Sequence, residues 1–130
     1  MSAESRSPLS LELVSFIEGA VPSVWALEVL LLLRRNAGAS WAVDPIVAEL
    51  RASPQLVTDC LTGLERAGLV ARDADGFHYA PASAILRDLG DALEAAYRER
   101  PVAVVKTIAS RRPDPLRGFA DSFRFRGWKS

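Results

Sequence analysis

The sequence predicts a mainly helical domain with a small β wing, and three observations support this fold class. First, serine or aspartate followed by apolar residues at helical spacing recurs along the chain, which predicts several capped helices. Second, two short helical segments follow each other closely from Asp44 and Ser53, as in a helix-turn-helix. Third, Asp-Ala-Asp-Gly at residues 73–76 separates two short apolar runs and predicts a hairpin. We therefore expect a winged helix-turn-helix with additional N- and C-terminal helices.

Composition is that of a globular protein and excludes several classes of function. The chain has 130 residues, of which 49% are hydrophobic and 25% charged. Cys60 is the only cysteine and His78 the only histidine, which excludes an intramolecular disulfide and a zinc site of Cys and His ligands. The chain start does not resemble a secretory signal, and the longest apolar block contains Glu28 and is too short for a membrane span. We expect a cytoplasmic protein without a cofactor.

The N-terminal third is expected to contain two helices. Ser7 caps the first, with Pro8 at its first position. Ser23 caps the second, VWALEVLLLLRRN, whose apolar residues cover most of its circumference. We expect this second helix to lie at the centre of the core, with Trp25 and Trp41 as further core anchors.

The middle of the chain predicts the helix-turn-helix and the wing. Residues 41–43 are expected to form a brief strand, and Asp44 then caps a short helix. Ser53 caps the next helix, which starts at Pro54 and stops at Gly68. The apolar face of that helix is expected to seat it on the core, with Cys60 as a buried small residue. LVAR and FHYAP then form the wing, with His78 as a surface or strand-packing residue.

The C-terminal part predicts a long helix, a proline break and a basic tail. Ser83 caps the long helix, and Pro101 breaks it. Its expected core-facing stripe comprises Ile85, Leu86, Leu89, Leu93, Ala96 and Tyr97. VAVVKTIAS continues as helix, and a loop then leads to a last amphipathic segment. The chain thus divides into an N-terminal helix at 1–22, a winged helix-turn-helix at 23–82 and C-terminal helices with a tail at 83–130.

This order of elements resembles that of winged-helix transcriptional regulators of the MarR type. The likeness is carried by SVWALEVLLLLRR, VAELRASPQLVTDCLTGLERAGLV and ARDADGFHYAP. The resemblance implies a regulator of transcription that binds double-stranded DNA, with helix 54–67 in the major groove and the wing at 69–80 on the backbone or in the minor groove. It also implies a homodimer formed through segments 8–20 and 84–126. The ending is similar to that of small bacterial winged-helix proteins that close with a Phe-Ala-Asp-x-Phe-Arg segment.

Seven residues are expected to contact DNA. They are Gln55, Thr58, Asp59, Thr62, Arg66, Arg72 and Arg51. Gln55 suits bidentate bonding to adenine, and Asp59 can accept a hydrogen bond from a cytosine amine. The threonines suit bases or phosphates, and the arginines suit phosphates, with Arg34 and Arg35 as further candidates at the rim. No residue spacing suggests a nucleophile with its base, so we expect no enzyme.

Charge opposes this assignment and keeps other functions open. Residues 1–97 carry 7 Lys+Arg and 13 Asp+Glu, whereas residues 98–130 carry 9 and 3. The wing tip has Asp73 and Asp75 where winged-helix regulators commonly carry an arginine. The same helix face can instead be a docking surface for a partner protein, or simply a solvated face.

The C-terminal tail also has several interpretations. FRFRGWKS alternates aromatic residues with arginine, which suits a nucleic-acid arm, an anionic membrane surface or an acidic groove on a partner protein. We expect the tail to dock on the protein itself or on its dimer mate. Otherwise Leu116, Phe119, Phe123 and Phe125 would expose considerable apolar surface.

Overall fold

The structure is a computed structural model, and it describes residues 9–110. These residues form six helices and a two-stranded antiparallel sheet, which confirms the mainly helical class with a small β element. The helices are α1 (Leu11–Ala20), α2 (Val24–Arg35), α3 (Val43–Leu50), α4 (Pro54–Arg66), α5 (Ala84–Glu99) and α6 (Pro101–Ala109). The strands are β1 (Val70–Asp73) and β2 (Gly76–Tyr79). The predicted Ser7-Pro8 helix start and the tail beyond Ser110 lie outside the described residues.

Helix α1 is capped by Ser10. The Ser10 hydroxyl oxygen accepts a hydrogen bond from the Leu13 N–H at 3.1 Å. This start places Glu12 in the first turn, where its charge is favourable at the positive end of the helix dipole. Leu13, Phe16 and Ile17 point into the core.

Helix α2 is the central core helix, as predicted. The Ser23 hydroxyl oxygen accepts a hydrogen bond from the Ala26 N–H at 3.1 Å, which confirms the predicted cap. The buried residues of α2 are Ala26, Leu27, Val29, Leu30, Leu31 and Leu33. The prediction that Trp25 anchors the core is wrong, because 41% of this side chain is exposed. Trp25 shares its helix face with Glu28 and Arg35, and that face points away from the core.

Helix α3 begins one residue before the predicted Asp44 cap. Its N-cap is Ala42, which provides no side-chain hydrogen bond, and Asp44 lies inside the first turn. The predicted strand at 41–43 is reduced to a single bridge, in which the Trp41 N–H and C=O both pair with Phe77 at 2.7 and 2.8 Å. This bridge fixes the backbone at Trp41, and the helix starts two residues later.

A three-residue turn connects α3 to α4. Arg51 ends α3 in the left-handed conformation, with φ 57° and ψ 44°. The Ser53 hydroxyl oxygen accepts a hydrogen bond from the Leu56 N–H at 3.1 Å, and Pro54 is the first helical residue, as predicted. Val57 and Leu61 are fully buried and seat α4 on the core, and Cys60 is buried as predicted.

Strands β1 and β2 form the predicted hairpin. Their register runs from Val70 opposite Tyr79 to Asp73 opposite Gly76, so that residues 74–75 make the turn. Trp41 bridges the other edge of β2. A Cβ atom on Gly76 would lie 2.2 Å from the Trp41 carbonyl oxygen, which explains why this position holds glycine.

The terminal helices α1, α5 and α6 pack against one another. The Ser83 cap of α5 and the break before Pro101 are both confirmed. The prediction that Ile85 belongs to the buried stripe is wrong, because 72% of its side chain is exposed. At about 100° per residue, Ile85 lies roughly 80° around the helix from Leu93, which is fully buried.

Buried residues from α1 to α6 and from both strands form one hydrophobic cluster. Within residues 9–110, no single helix is long and apolar enough to cross a membrane, whereas α1 and α2 pass that test only as a pair bent by 103°.

Candidate nucleic-acid interface

Helix α4 exposes the polar face that the sequence predicts. Val57, Leu61 and Leu64 attach the opposite face to α2 and α3. Of the seven predicted DNA-contacting residues, Thr62 is half-buried and the other six are exposed. The α3–α4 turn lies at one end of this face, and the hairpin follows its other end. The five predicted residues on α4 therefore share one accessible face, and Arg51 and Arg72 belong to the segments that precede and follow this helix.

Gln55 and Asp59 pair with each other on this face. The Gln55 side-chain amide donates a hydrogen bond to the Asp59 carboxylate at 2.9 Å, four residues further along the helix. Such exposed pairs stabilise a helix by only about 0.2–0.5 kcal/mol. A nucleobase can therefore displace the interaction at small cost, but the negative charge of Asp59 remains on the face.

Arg72 is held in β1 next to the hairpin tip. Its guanidinium donates a hydrogen bond to the Glu65 carboxylate at 2.9 Å and lies 4.8 Å from the centre of the Phe77 ring. The hydrogen bond from Arg72 lowers the pKa of Glu65. This pair links the end of α4 to β1. It also neutralises the charge of Arg72, which is predicted to contact DNA. The side chain is 58% exposed, so a phosphate can still reach it.

Asp73 is a structural carboxylate at the hairpin tip. It accepts hydrogen bonds from the Ser40 hydroxyl and from the Asp75 backbone N–H, and the latter measures 2.8 Å. These contacts lower the pKa of Asp73, with the Ser40 hydroxyl as the largest cause. His78 is half-buried beside it, with Nδ1 2.9 Å from an Asp73 oxygen. The tip is thus built around Asp73, whereas Asp75 presents its side chain to solvent.

The arginines at the end of α2 are committed to α5. The Arg34 guanidinium bonds Asp91 at 2.6 Å and also Glu94, and Arg35 bonds Glu94 at 2.6 Å. Burial opposes the ionisation of Glu94, but the hydrogen bonds and charges of the two arginines outweigh it and lower the pKa of this carboxyl. Two α5 carboxylates therefore neutralise Arg34 and Arg35, which weighs against the prediction that these arginines contact phosphate at the rim.

Arg51 and Arg66 are the cations best placed for a polyanion. Both are exposed, and neither makes an ion pair within residues 9–110. Arg51 lies in the turn before α4 and Arg66 in the last turn of α4. They bracket the polar face along the helix, so a ligand lying on that face meets one guanidinium at each end.

Carboxylates nevertheless outnumber cations around the interface. From α3 to the hairpin, the acidic residues are Asp44, Glu49, Asp59, Glu65, Asp73 and Asp75, and the basic residues are Arg51, Arg66 and Arg72. Duplex DNA carries about one negative charge per 1.7 Å of its axis, so this balance opposes binding.

Sequence reasoning missed the side chains that hold the interface in shape. Ser40 bonds Asp73 across 33 positions, and Asp91 bonds Arg34 across 57. No local spacing signals contacts over such separations. The Gln55–Asp59 pair follows the four-residue helical rule and is open to prediction from sequence. Comparison with protein-family models, curated proteins and solved structures gives no significant match to this chain.

Proposed function

We propose that this chain is a winged-helix transcriptional regulator that binds double-stranded DNA. Helix α4, within residues 54–67, enters the major groove, and the hairpin within residues 69–80 contacts the backbone or the minor groove. The observation that carries the proposal is the exposed polar face of α4, bracketed by Arg51 and Arg66 and followed directly by the hairpin. An exposed polar helix face of this kind suits the major groove, where base edges present a distinct pattern for each base pair.

Six of the seven predicted residues contact DNA in this arrangement, whereas the negative charge of Asp59 opposes binding. Gln55 exchanges its bond to Asp59 for an adenine edge, while Thr58 and Thr62 reach bases or phosphates. Arg51, Arg66 and Arg72 contact phosphates, and Arg72 gives up Glu65 to do so. A homodimer formed through α1, α5 and α6 doubles these contacts on successive major grooves.

Selection of duplexes from a random DNA library by the purified full chain tests the proposal. We expect enrichment of a defined sequence that contains an inverted repeat. Gln55→Ala should relax the preference at one or two base pairs by about 1–3 kcal/mol. A selection without any enriched sequence, even at low salt, overturns the proposal.

A second pair of variants separates DNA contact from folding. Arg51→Gly should weaken binding to all sequences and reduce the salt slope by about one. Because glycine tolerates the left-handed conformation of Arg51, this variant should keep the stability of the wild type or exceed it by about 1 kcal/mol. Arg98→Ala removes an exposed arginine from α5, and it should leave DNA binding unchanged when gel filtration shows the wild-type oligomeric state.

A protein-docking module is the second candidate, and the acidic balance of the α4 surface favours it. In this reading Asp59 and Asp75 meet a basic surface of a partner protein, and the basic tail is an alternative docking site. Charge reversal at Asp59 and Asp75 should then abolish capture of a stoichiometric protein partner. Asp75 suits this test better than Asp73, whose substitution would disturb the hairpin. Recovery of DNA alone counts against this candidate.

A further inference from the structure

An apolar groove lies where α5 meets α6. It has a volume of about 260 Å³ and is lined by Tyr97, Pro101, Val102, Val105 and Lys106. Val102 is 67% exposed and Val105 is 37% exposed. Two neighbouring aliphatic side chains of the groove are thus left uncovered by the described residues.

Helix α6 is apolar on two faces, although only one of them is covered. Val104 and Ile108 are buried on the face that packs against α1 and α5. Val102, Val105 and Ala109 lie on another face at spacings of three and four, and all three are exposed. At 1.5 Å per residue this exposed stripe is about 10 Å long.

The chain itself supplies a segment with a matching pattern. The described residues end at Ser110, just beyond the groove, and 20 residues follow in the sequence. Pro113 and Pro115 disfavour continuation of α6, so the sequence favours a change of direction there. Leu116, Phe119 and Phe123 then repeat the spacing of the exposed stripe. A helical segment that returned along α6 would present three large apolar side chains over the same 10 Å or so.

Charge favours the protein's own body as the site for this segment. Residues 111–130 contain six Lys+Arg and two Asp+Glu, whereas residues 9–110 contain nine and thirteen. Glu99 lies two residues before Pro101 of the groove, and Glu12 lies on α1, which packs against α6.

We propose that residues 114–125 occupy this groove in the same chain, with Leu116, Phe119 and Phe123 against Val102 and Val105. The contact covers the apolar stripe and joins a basic segment to a body whose net charge is negative. It is independent of whether α4 binds DNA.

Limited trypsin digestion of the full chain tests the docking, because the segment contains Arg117 and Arg124 as cleavage sites. Docking makes cleavage depend on transient release of the segment. Val102→Asp should therefore speed cleavage at these two arginines by about tenfold. Ile85→Asp is the matched control, because Ile85 is 72% exposed on α5 and lies outside the groove. Unfolding in urea should show that both variants remain folded.

A double-mutant cycle tests the contact itself. Phe119→Ser should speed cleavage as Val102→Asp does, and the double variant should be cleaved no faster than either single variant. Additive effects, or equal cleavage rates in the wild type and Val102→Asp, overturn the proposal. Protection that rises with protein concentration overturns it as well, because it would place the segment on a second copy.

Discussion

Gly76 fixes the hairpin against the chain that precedes α3. Its φ of 136° lies in the region that favours glycine, and Trp41 passes directly over its α-carbon. The Trp41 backbone pairs with Phe77, the next residue along β2, at 2.7 and 2.8 Å. A side chain at position 76 therefore meets both backbone strain and a clash. The Asp-Ala-Asp-Gly motif predicts a turn that uses this glycine, but the contact with Trp41 depends on tertiary packing.

Gly76→Ala should lower the free energy of unfolding by about 2–4 kcal/mol, because the added Cβ lies 2.2 Å from the Trp41 oxygen and alanine resists this φ. Urea denaturation measures the change. Gly63→Ala is the control, since an added Cβ in α4 meets nothing within 4 Å and should stabilise the helix by up to about 1 kcal/mol. Equal stabilities of the two variants would contradict the assigned role of Gly76.

At the scale of elements, α2 and α5 are joined by a charged cluster. Arg34 and Arg35 of α2 bond Asp91 and Glu94 of α5, and the Tyr97 hydroxyl donates a hydrogen bond to Glu28 at 2.9 Å. The sequence predicts both helices correctly because their serine caps and the Pro101 break act locally. The sequence does not predict which face of α5 forms ion pairs with α2. That choice depends on the packing angle between helices, which also leaves Ile85 exposed.

Glu94→Gln should destabilise the protein by about 1–2 kcal/mol at pH 7, because it removes the charge that both arginines share. The folded-state pKa of Glu94 lies below its usual value, so its contribution is complete above the unfolded pKa and is lost as pH falls through the folded pKa. The difference between variant and wild type should therefore shrink in acid. Urea denaturation at pH 7 and pH 3 measures this difference in the free energy of unfolding.

Asp88→Asn is the control, because Asp88 is an exposed α5 carboxylate outside the cluster. Its free energy of unfolding should differ little from that of the wild type at either pH. A difference that stays constant with pH would exclude the ionised pair as the cause.

On the scale of the whole molecule, local sequence patterns predict the shape of the candidate site better than its charge. The apolar face of α4 predicts that this helix packs against the core, and the burial of Val57, Leu61 and Leu64 confirms this prediction. The free charge at the interface depends instead on pairings across the fold. Asp91 and Glu94 form ion pairs with Arg34 and Arg35, and Glu65 forms an ion pair with Arg72. Arg51 and Arg66 make no ion pair within residues 9–110. No residue spacing along the chain distinguishes them from the arginines that do.

Asp59 is the carboxylate on the exposed α4 face, between Arg51 and Arg66 along the chain. A substitution that removes its charge therefore tests the proposed function most directly. Asp59→Asn removes a negative charge from the α4 face and weakens the hold on the Gln55 amide. We expect DNA affinity to rise by about tenfold in 0.15 M salt, where a Debye length of about 8 Å limits the effect to nearby phosphates.

Titration of a fluorescent duplex carrying the selected sequence measures the Asp59→Asn affinity. Asp88→Asn removes the same charge from α5 and, when gel filtration shows the wild-type oligomeric state, should have little effect in 0.15 M salt. Both variants should bind more tightly near 0.01 M salt, where the Debye length is about 30 Å. Equal gains from the two variants in 0.15 M salt would mean that only net charge matters. The α4 face would then not be the surface that contacts DNA.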